Sequence, residues 1–259
     1  MVTIAHISDL HCSKTKTGKT GFKPEKLASS ITEINKLKPD VVVVTGDLTM
    51  FGFREEYEMA KKYLSRIKSP MIVIPGNHDA RYAGYDYFDE FFGHGDSFLD
   101  LPGISIIGVD TSVPDVDEGH IGRGKLKILI EKLNKIPSSK LKIVAIHHHL
   151  VSIPKTGRER STIVDAGDVL KEFIDAGVDL VLSGHKHAPH SWLINNVAIV
   201  NAGSASAVKL RANIPNSYNI IKVRDNSIEI FLKKPGKKPE VMAKYTTATS
   251  EGELYVSHK

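Results

Sequence analysis

Five apolar runs in this chain end in polar clusters that contain Asp, Asn or His. The run at 71–75 is rich in β-branched residues, is closed by Pro and Gly, and leads into Gly76-Asn77-His78-Asp79. This pattern is typical of a buried strand that ends in a tight turn, and four other strand-like runs end in a similar way. Because the loops at the carboxyl ends of α/β strands carry ligands, the five clusters predict one shared site at a sheet edge.

Strand and helix patterns alternate along most of the chain, which predicts βαβ units. From Ser191 onward the pattern changes to short strands, with hairpin turns at Asn195-Asn196 and Asp225-Asn226. We predict an α/β fold in which these later strands form a second sheet packed on the first, with helices on the outer faces. The chain is expected to be one domain over 1–259, with a flexible tail after about 246.

Composition excludes several classes of protein. The 35 Lys and Arg exceed the 30 Asp and Glu by a margin that is spread along the chain, which does not indicate a nucleic-acid surface. The single cysteine, Cys12, excludes an internal disulfide framework and is interpreted as a packing residue. The sequence shows no signal-peptide pattern and no apolar segment of about 20 residues that could span a bilayer. We therefore expect a cytoplasmic protein without a membrane partner.

The polar clusters together offer carboxylates, an amide oxygen and imidazoles. They are Asp9-Leu10-His11, Gly46-Asp47, Gly76-Asn77-His78-Asp79, His147-His148-His149 and Gly184-His185-Lys186-His187. This mixture of donors suits divalent first-row metals such as Mn, Fe, Zn, Ni or Co, and the lack of thiolates argues against a structural zinc site. About seven ligands exceed the needs of one ion and are enough for two.

The five motifs, in this order, closely resemble those of the calcineurin-like metallophosphoesterases, and most of all the group that contains cyclic-nucleotide phosphodiesterases and glycerophosphodiesterases. The resemblance spans residues 2 to about 203. It implies a fold of two facing mixed β-sheets flanked by helices, a four-layer α/β/β/α sandwich. It also implies a dinuclear metal centre that hydrolyses phosphoric esters.

The resemblance further implies which residues hold the two ions. Asp9, His11 and His187 would hold one ion, and Asp47 would bridge it to a second. Asn77, together with His185 and one histidine of the 147–149 cluster, would hold the second ion.

The choice within the 147–149 cluster depends on how it is aligned with the family. The family motif runs His-x-Pro, and this chain has Leu150 where the Pro is expected. Aligning Leu150 with that Pro selects His148 as the ligand. His147 remains the alternative, and His149 is then a candidate substrate contact.

Two further residues carry catalytic roles by resemblance. His78 would face the substrate and stabilise the developing charge or protonate the leaving oxygen. Asp79 would orient that imidazole or tie down its loop. A pair of divalent ions would share a water, lower its pKa and present hydroxide to the phosphorus atom.

The main interpretation is hydrolysis of small phosphodiesters, such as 3′,5′-cyclic nucleotides or glycerophosphodiesters. One alternative is a phosphomonoesterase, nucleotidase or nuclease on the same site. Another is a non-catalytic interaction module, which would be expected to have lost metal ligands that this chain keeps.

Several other residues and segments carry secondary interpretations. Arg123, Arg158 and Arg160 are either a phosphate clamp or solvated charges. The segments 84–92 and 154–161 are interpreted as loops that face the substrate. The histidines left outside the predicted ligand set are His6, His94, His120, His190 and His258.

Overall fold

The computed structural model describes residues 1–14, 21–157, 162–224 and 227–246. The strands in these ranges are β1 Val2–Ile7, β2 Val41–Thr45, β3 Met71–Ile74, β4 Ser97–Leu101, β5 Ile104–Gly108, β6 Leu141–Ala145, β7 Leu180–Ser183, β8 His190–Ile194, β9 Val197–Asn201, β10 Tyr218–Arg224, β11 Ser227–Lys233 and β12 Glu240–Thr246. The helices are α1 Pro24–Leu37, α2 Arg54–Leu64, α3 Gly84–Phe92, α4 Arg123–Asn134 and α5 Ala166–Asp175. None of these helices has the length and apolar character needed to cross a bilayer.

Some sequence predictions fall outside the described residues. They concern the hairpin turn at Asp225-Asn226, the arginines Arg158 and Arg160, the part of the substrate-facing segment 154–161 that follows residue 157, His258, and the tail after 246. These stay predictions.

The strands form two mixed sheets, in the orders β12-β11-β10-β1-β2-β3 and β4-β5-β6-β7-β9-β8. In the first sheet β1, β2 and β3 run parallel, while β10 pairs with β1 in the antiparallel direction. In the second sheet β5, β6, β7 and β9 run parallel. The predicted fold class of two mixed sheets flanked by helices is confirmed.

The division of strands between the sheets differs from the prediction. Only β8 and β9 of the later strands join the second sheet, which begins with β4, whereas β10, β11 and β12 return to the first. β1 therefore lies between β10 and β2. Local periodicity predicts that a strand exists, but it carries no information about a partner more than 200 residues away.

The apolar core lies in three layers that follow from this architecture. Between the sheets, Ile4 and Val43 of the first sheet belong to the same buried cluster as Ile143 and Leu182 of the second. Helices α1 to α3 cover the outer face of the first sheet, and α4 and α5 cover that of the second. The result is a four-layer arrangement. The carboxyl ends of the parallel strands in both sheets lie at one side of it and lead into loops.

The segment Gly84–Phe92, predicted as a substrate-facing loop, is the helix α3. Its rings at Phe88, Phe91 and Phe92 surround Tyr57 of α2, with centroids 6.1 to 6.5 Å apart. This spacing of three and four residues places the rings on one helix face, which the sequence analysis did not recognise. The prediction of a substrate-facing loop was wrong because this segment is a helix whose aromatic face packs against α2. The strand β12 was also missed.

Candidate metal centre

The predicted ligands all follow strands whose ends meet at one edge of the two sheets. Asp9 and His11 follow β1, Asp47 follows β2 and Asn77 follows β3. The second sheet contributes the 147–149 cluster after β6, and His185 and His187 after β7. The structure brings these side chains into direct contact, although His11 and His187, for example, are 176 residues apart in the chain.

The loops turn back on themselves through left-handed backbone conformations. Asp9, His11, Asp47, His185 and His187 all have positive φ, between 50° and 71°. Asp, Asn and His are the non-glycine residues that adopt this region most readily. The turns let residues that are two apart, such as His185 and His187, point into the same site.

Glycine is required where the loops approach most closely. A Cβ on Gly76 would lie 2.3 Å from Asp47 Oδ1 and 2.8 Å from His147 Cε1. Any side chain at this position would therefore displace two residues of the site.

Four buried side chains form one group, namely those of Asp9, His11, Asp47 and His187. Each offers one ligand atom, and these atoms lie within 4.8 Å of one another. His11 Nε2 lies 2.9 Å from His187 Nε2 and 3.4 Å from Asp47 Oδ2. His187 Nε2 lies 3.3 Å from Asp9 Oδ1. Two carboxylates and two imidazoles thus converge on one small volume.

A second group forms on the other side of Asp47. The Asn77 amide oxygen lies 3.1 Å from His147 Nε2 and 3.0 Å from His185 Nδ1. His147 Nε2 also lies 3.4 Å from Asp47 Oδ1. The Asp47 carboxylate therefore turns one oxygen toward each group.

The neighbouring residues His147 and His148 are held in different ways. The His147 Nδ1 atom lies 2.7 Å from the Thr45 carbonyl oxygen, to which Nδ1–H donates, so that the Nε2 lone pair faces Asp47 and Asn77. His148 instead uses both ring nitrogens, at 2.8 Å from Thr111 Oγ1 and 3.1 Å from the Asp117 carbonyl oxygen. One nitrogen from each of His147, His148 and His185 nevertheless lies within 4.8 Å of the others.

The donor set fits divalent first-row metals. It combines buried carboxylates, one amide oxygen and several imidazole nitrogens, which are the ligands such ions prefer. Burial would raise the pKa of Asp47, but the neighbouring imidazoles, His147 foremost, hold that pKa well below its usual range. Burial also holds the pKa values of His11 and His185 well below 6.5, which favours the neutral imidazole that a metal requires. Burial acts in the same direction on His147 and His187, but the neighbouring carboxylates outweigh it and raise the pKa of His187, and that of His147 to about 9.

His78 lies beside the first group with a fixed ring orientation. Its Nδ1 is 2.6 Å from the Met50 carbonyl oxygen, its backbone N–H donates to Asp47 Oδ1 at 2.9 Å, and its ring meets that of His11 edge-on at 4.6 Å. Burial lowers the pKa of His78 despite the opposing charge of Asp47. With Nδ1 engaged, Nε2 is the ring nitrogen left to act in the site.

Of the two roles considered for Asp79, its contacts match loop tethering. Its carboxylate accepts hydrogen bonds from the backbone N–H of Leu48, Thr49 and Gly76 at 2.9 to 3.0 Å, and from Thr49 Oγ1 at 2.7 Å. These bonds join the loop after β2 to the loop after β3. The hydrogen-bond partner of the His78 ring is Met50 rather than Asp79.

A cleft of about 240 Å³ opens onto both groups. Besides His78 and five of the predicted ligands, it is lined by Met50, Arg81, Asp117, Ala207, Lys209 and Arg211. Sequence analysis singled out none of these six. Arg81 and Met50 could have been found from their places two residues after Asp79 and three after Asp47, but the other four come from loops without a recognisable motif. Arg123, a candidate clamp in the sequence, lines a separate groove between α4 and α5.

The histidines excluded from the ligand set lie outside both groups where the structure describes them. His6 is buried in the core with Nε2 3.0 Å from Thr45 Oγ1. His94 and His120 lie beside Asp89 and Asp165, and His190 is in β8. Cys12 is a buried free thiol among apolar side chains, as predicted.

Known proteins share this sequence pattern and this fold. A family model described as calcineurin-like phosphoesterase matches residues 2–189. A probable glycerophosphodiester phosphodiesterase GpdQ from Arcobacter nitrofigilis is 33% identical over 78% of each chain. A 3′,5′-cyclic-nucleotide phosphodiesterase from Nostoc is 26% identical, also over 78% of each chain.

Solved structures agree on the fold. A dimetal phosphatase from Danio rerio superposes with a TM-score of 0.72 at 10% identity, covering 95% of this chain and 99% of its own. At that identity the likeness concerns the fold alone. The family match spans more than half of this chain and contains every predicted ligand, so that the resemblance seen in the sequence is confirmed. The chain therefore belongs to the calcineurin-like phosphoesterases, a family of hydrolases that act on phosphoesters at a dinuclear divalent-metal site.

Proposed function

We propose that this protein hydrolyses small phosphodiesters at two divalent ions bridged by Asp47. The observation that carries the proposal is the position of the Asp47 carboxylate. Its Oδ2 lies 3.4 Å from His11 Nε2 and its Oδ1 lies 3.4 Å from His147 Nε2, so that each oxygen faces a separate group of ligands. A carboxylate can serve two ions in this way, whereas a neutral imidazole cannot.

One ion would be held by Asp9, His11 and His187, and the other by Asn77, His147 and His185. The choice of His147 departs from the sequence alignment, which selected His148. It is supported by the hydrogen bond from His147 Nδ1 to Thr45, which directs Nε2 to the site, and by the engagement of both His148 nitrogens elsewhere.

When bound, such an ion pair polarises the phosphoryl oxygens and activates a water for attack on phosphorus. The residues of the chain would do the rest. His78, whose Nδ1–H donates to the Met50 carbonyl, would take up a second proton on Nε2 from solvent and transfer that proton to the leaving oxygen. Asp79 would hold the His78 and Asp47 loops together rather than touch the substrate.

Action on diesters rather than monoesters is supported by relatives of two kinds. One is named as a probable glycerophosphodiester phosphodiesterase and another as a 3′,5′-cyclic-nucleotide phosphodiesterase, and both names describe diester hydrolysis. We infer that this chain likewise hydrolyses diesters. The cytoplasmic location and the single-domain boundary of 1–259 remain predictions.

The test compares bis(p-nitrophenyl) phosphate with p-nitrophenyl phosphate on metal-stripped protein that is re-supplied with Mn, Fe, Zn, Ni or Co in turn. Diester turnover should require added metal and should exceed monoester turnover. Asp47→Asn should lose both bound metal and activity, whereas His78→Gln should keep the metal and lose about 10² to 10⁴ in turnover. The exposed His94→Gln is the matched control. Faster monoester turnover would favour a phosphomonoesterase, and no turnover with either substrate would reject the hydrolase.

A further inference from the structure

We propose that an aromatic groove beside the metal cleft is a subsite for a planar, uncharged ring of the substrate, with the chemistry of a nucleobase. The aromatic groove is lined by Phe51, Tyr82 and Val116, and Phe53 supports it by stacking on the ring of Tyr82. The inference rests on the proposed phosphodiester hydrolysis and adds the substrate class that this site would prefer.

The groove exposes large apolar rings to an unusual degree. Tyr82 is 70% exposed and Phe53 is 43% exposed, and their rings stack at a centroid distance of 5.6 Å and an angle of 21°. Phe51 extends the row at 5.9 Å from Phe53. Phe51, Tyr82 and Val116 line a groove of about 600 Å³. Contiguous exposed rings of this kind mark binding surfaces more often than isolated apolar residues do.

The backbone holds the groove in a single shape. Tyr82 has a φ of 52°, a left-handed conformation that is unfavourable for a bulky side chain. It is kept there by a 2.9 Å hydrogen bond from its backbone N–H to Asp115 Oδ1. The loop that carries Phe51 and Phe53 packs against it so closely that a Cβ on Gly52 would lie 2.5 Å from the Arg81 carbonyl oxygen. A preformed surface of this type binds rings at low entropic cost.

The groove is continuous with the metal cleft. Arg81 and Asp117 line both. Asp117 Oδ1 accepts hydrogen bonds from Arg81 Nη2 at 3.0 Å and from the Asn77 side-chain amide at 3.1 Å. A single carboxylate thus separates the groove from a proposed metal ligand, so that a substrate whose phosphate lies at the ions can extend a substituent into the groove.

The charges around the groove select the type of substituent. Asp115, Asp117 and Glu118 line it, and Arg81, the one cation among the described residues that line it, is paired with Asp117. A second phosphate would be repelled here, whereas the basic residues Lys209 and Arg211 line the metal cleft itself. Carboxylates can accept hydrogen bonds from ring amino groups, and flat rings stack on Tyr82 or Phe51. A glycerol substituent offers no flat face for such stacking.

The test measures binding rather than turnover, using AMP and ribose 5-phosphate as a pair of ligands that differ only in the base. Calorimetry on zinc-loaded protein should show AMP binding about tenfold more tightly than ribose 5-phosphate. Tyr82→Ala and Phe51→Ala should each remove most of this difference, while Tyr82→Phe, which keeps the ring, should retain it. Phe98→Ala, an exposed ring on β4, is the matched control, and thermal unfolding confirms that each variant is folded.

The outcomes separate the two proposals. If AMP and ribose 5-phosphate bind equally, or if neither binds, the subsite is rejected even when diester hydrolysis is observed. If the preference for AMP survives both alanine variants, the base lies elsewhere and the subsite is also rejected. If the preference depends on Tyr82 but no diester is hydrolysed, the groove binds the ring as inferred and the proposed hydrolase activity is the part that fails.

Discussion

The two sheets contribute chemically different halves of the candidate site. Loops of the first sheet supply every proposed oxygen ligand, from Asp9, Asp47 and Asn77, together with one imidazole. Loops of the second sheet supply only imidazoles, from His147, His185 and His187. The negative charge that attracts cations therefore lies on one side and the neutral nitrogen donors on the other. Neither sheet alone can complete a pair of metal sites.

The two halves also differ in how their loops are held. In the first sheet the loops are joined to one another, with Asp9 N–H donating to the Gly46 carbonyl and His11 N–H to that of Asp47, at 3.0 and 2.9 Å. The second-sheet loops are joined at Gly184 N–H and the His147 carbonyl. The contact between the halves includes the His185 N–H, which lies 3.1 Å from an Asp9 carboxylate oxygen. Both halves are thus joined internally by backbone hydrogen bonds, and the acidic half has in addition the bonds that Asp79 accepts from the loops after β2 and β3.

The largest expected effect tests which imidazole of the second sheet completes the site. His147→Ala should reduce bound metal toward one ion per chain and reduce diester turnover by more than the 10 to 100-fold typical of residues that only support a ligand. His148→Ala should leave the metal content at two ions and change turnover by severalfold at most. Elemental analysis and kinetics on the same samples measure both. The opposite pattern would restore the alignment that selected His148.

A somewhat smaller effect is expected when the tether of the acidic half is cut. Asp79→Ala would leave three buried backbone N–H groups without their acceptor and should lower the free energy of unfolding by about 4 kcal/mol. Asp79→Asn keeps one acceptor oxygen and should lower it by about half as much. Urea unfolding measures the difference. Equal losses in the two variants would show that the carboxylate does not hold the loops in this way.

Next in size is a change that loosens the packing between the halves. Ile143 is fully buried between the sheets, and Ile143→Ala should cost about 3 kcal/mol of stability. Ile34→Ala, in the layer between α1 and the outer face of the first sheet, should cost a similar amount. Metal titration of the folded proteins should show weaker binding only for Ile143→Ala. Unchanged affinity in that variant would mean that the halves hold together without the core between them.

The smallest effect concerns His6, which lies in the first sheet below the site. Burial lowers its pKa from 6.5 to about 3, so that it stays neutral in the folded protein. Below pH 6.5 the unfolded chain takes up a proton at His6 that the folded chain does not, and stability falls as pH falls toward 3. At pH 5 this contributes a loss of about 2 kcal/mol relative to pH 7.5. His6→Asn should reduce the pH dependence of urea unfolding by that amount, and identical profiles would contradict the shift.

Local patterns predicted the elements well. The predicted alternation of strands and helices is present from β1 to β7, with β4 and β5 the one directly joined pair of strands in the described part of that range, because an unbroken apolar run and a helical apolar face both depend on neighbouring residues. The helix α3 was missed although Phe88, Phe91 and Phe92 have helical spacing, so that a local signal was present there and was not used. The assignment of β10 to the first sheet, in contrast, depends on pairing across more than 200 residues, which local reasoning cannot detect.

The candidate site shows the same division between local and long-range information. The ligand-bearing motifs could be predicted from the sequence because each one directly follows a single strand. The choice between His147 and His148 could not, because it depends on which ring nitrogens Thr45, Thr111 and Asp117 engage. Tyr82 and Phe53 were also beyond reach, since their stacking joins two loops that are separate in the chain.

The position of β1 between β2 and β10 has a consequence for synthesis of the chain on the ribosome. All the proposed ligands are translated by residue 187, but the strand that covers the second edge of β1 begins only at Tyr218. Until β10 is made, β1 in a nascent chain would have one edge without a partner strand. Such an edge is a template for aggregation. A protein shortened after residue 203 would keep every ligand and remain permanently in that exposed condition. The strands β10 to β12 thus supply none of the proposed ligands, and β10 covers the edge of β1 that would otherwise be exposed.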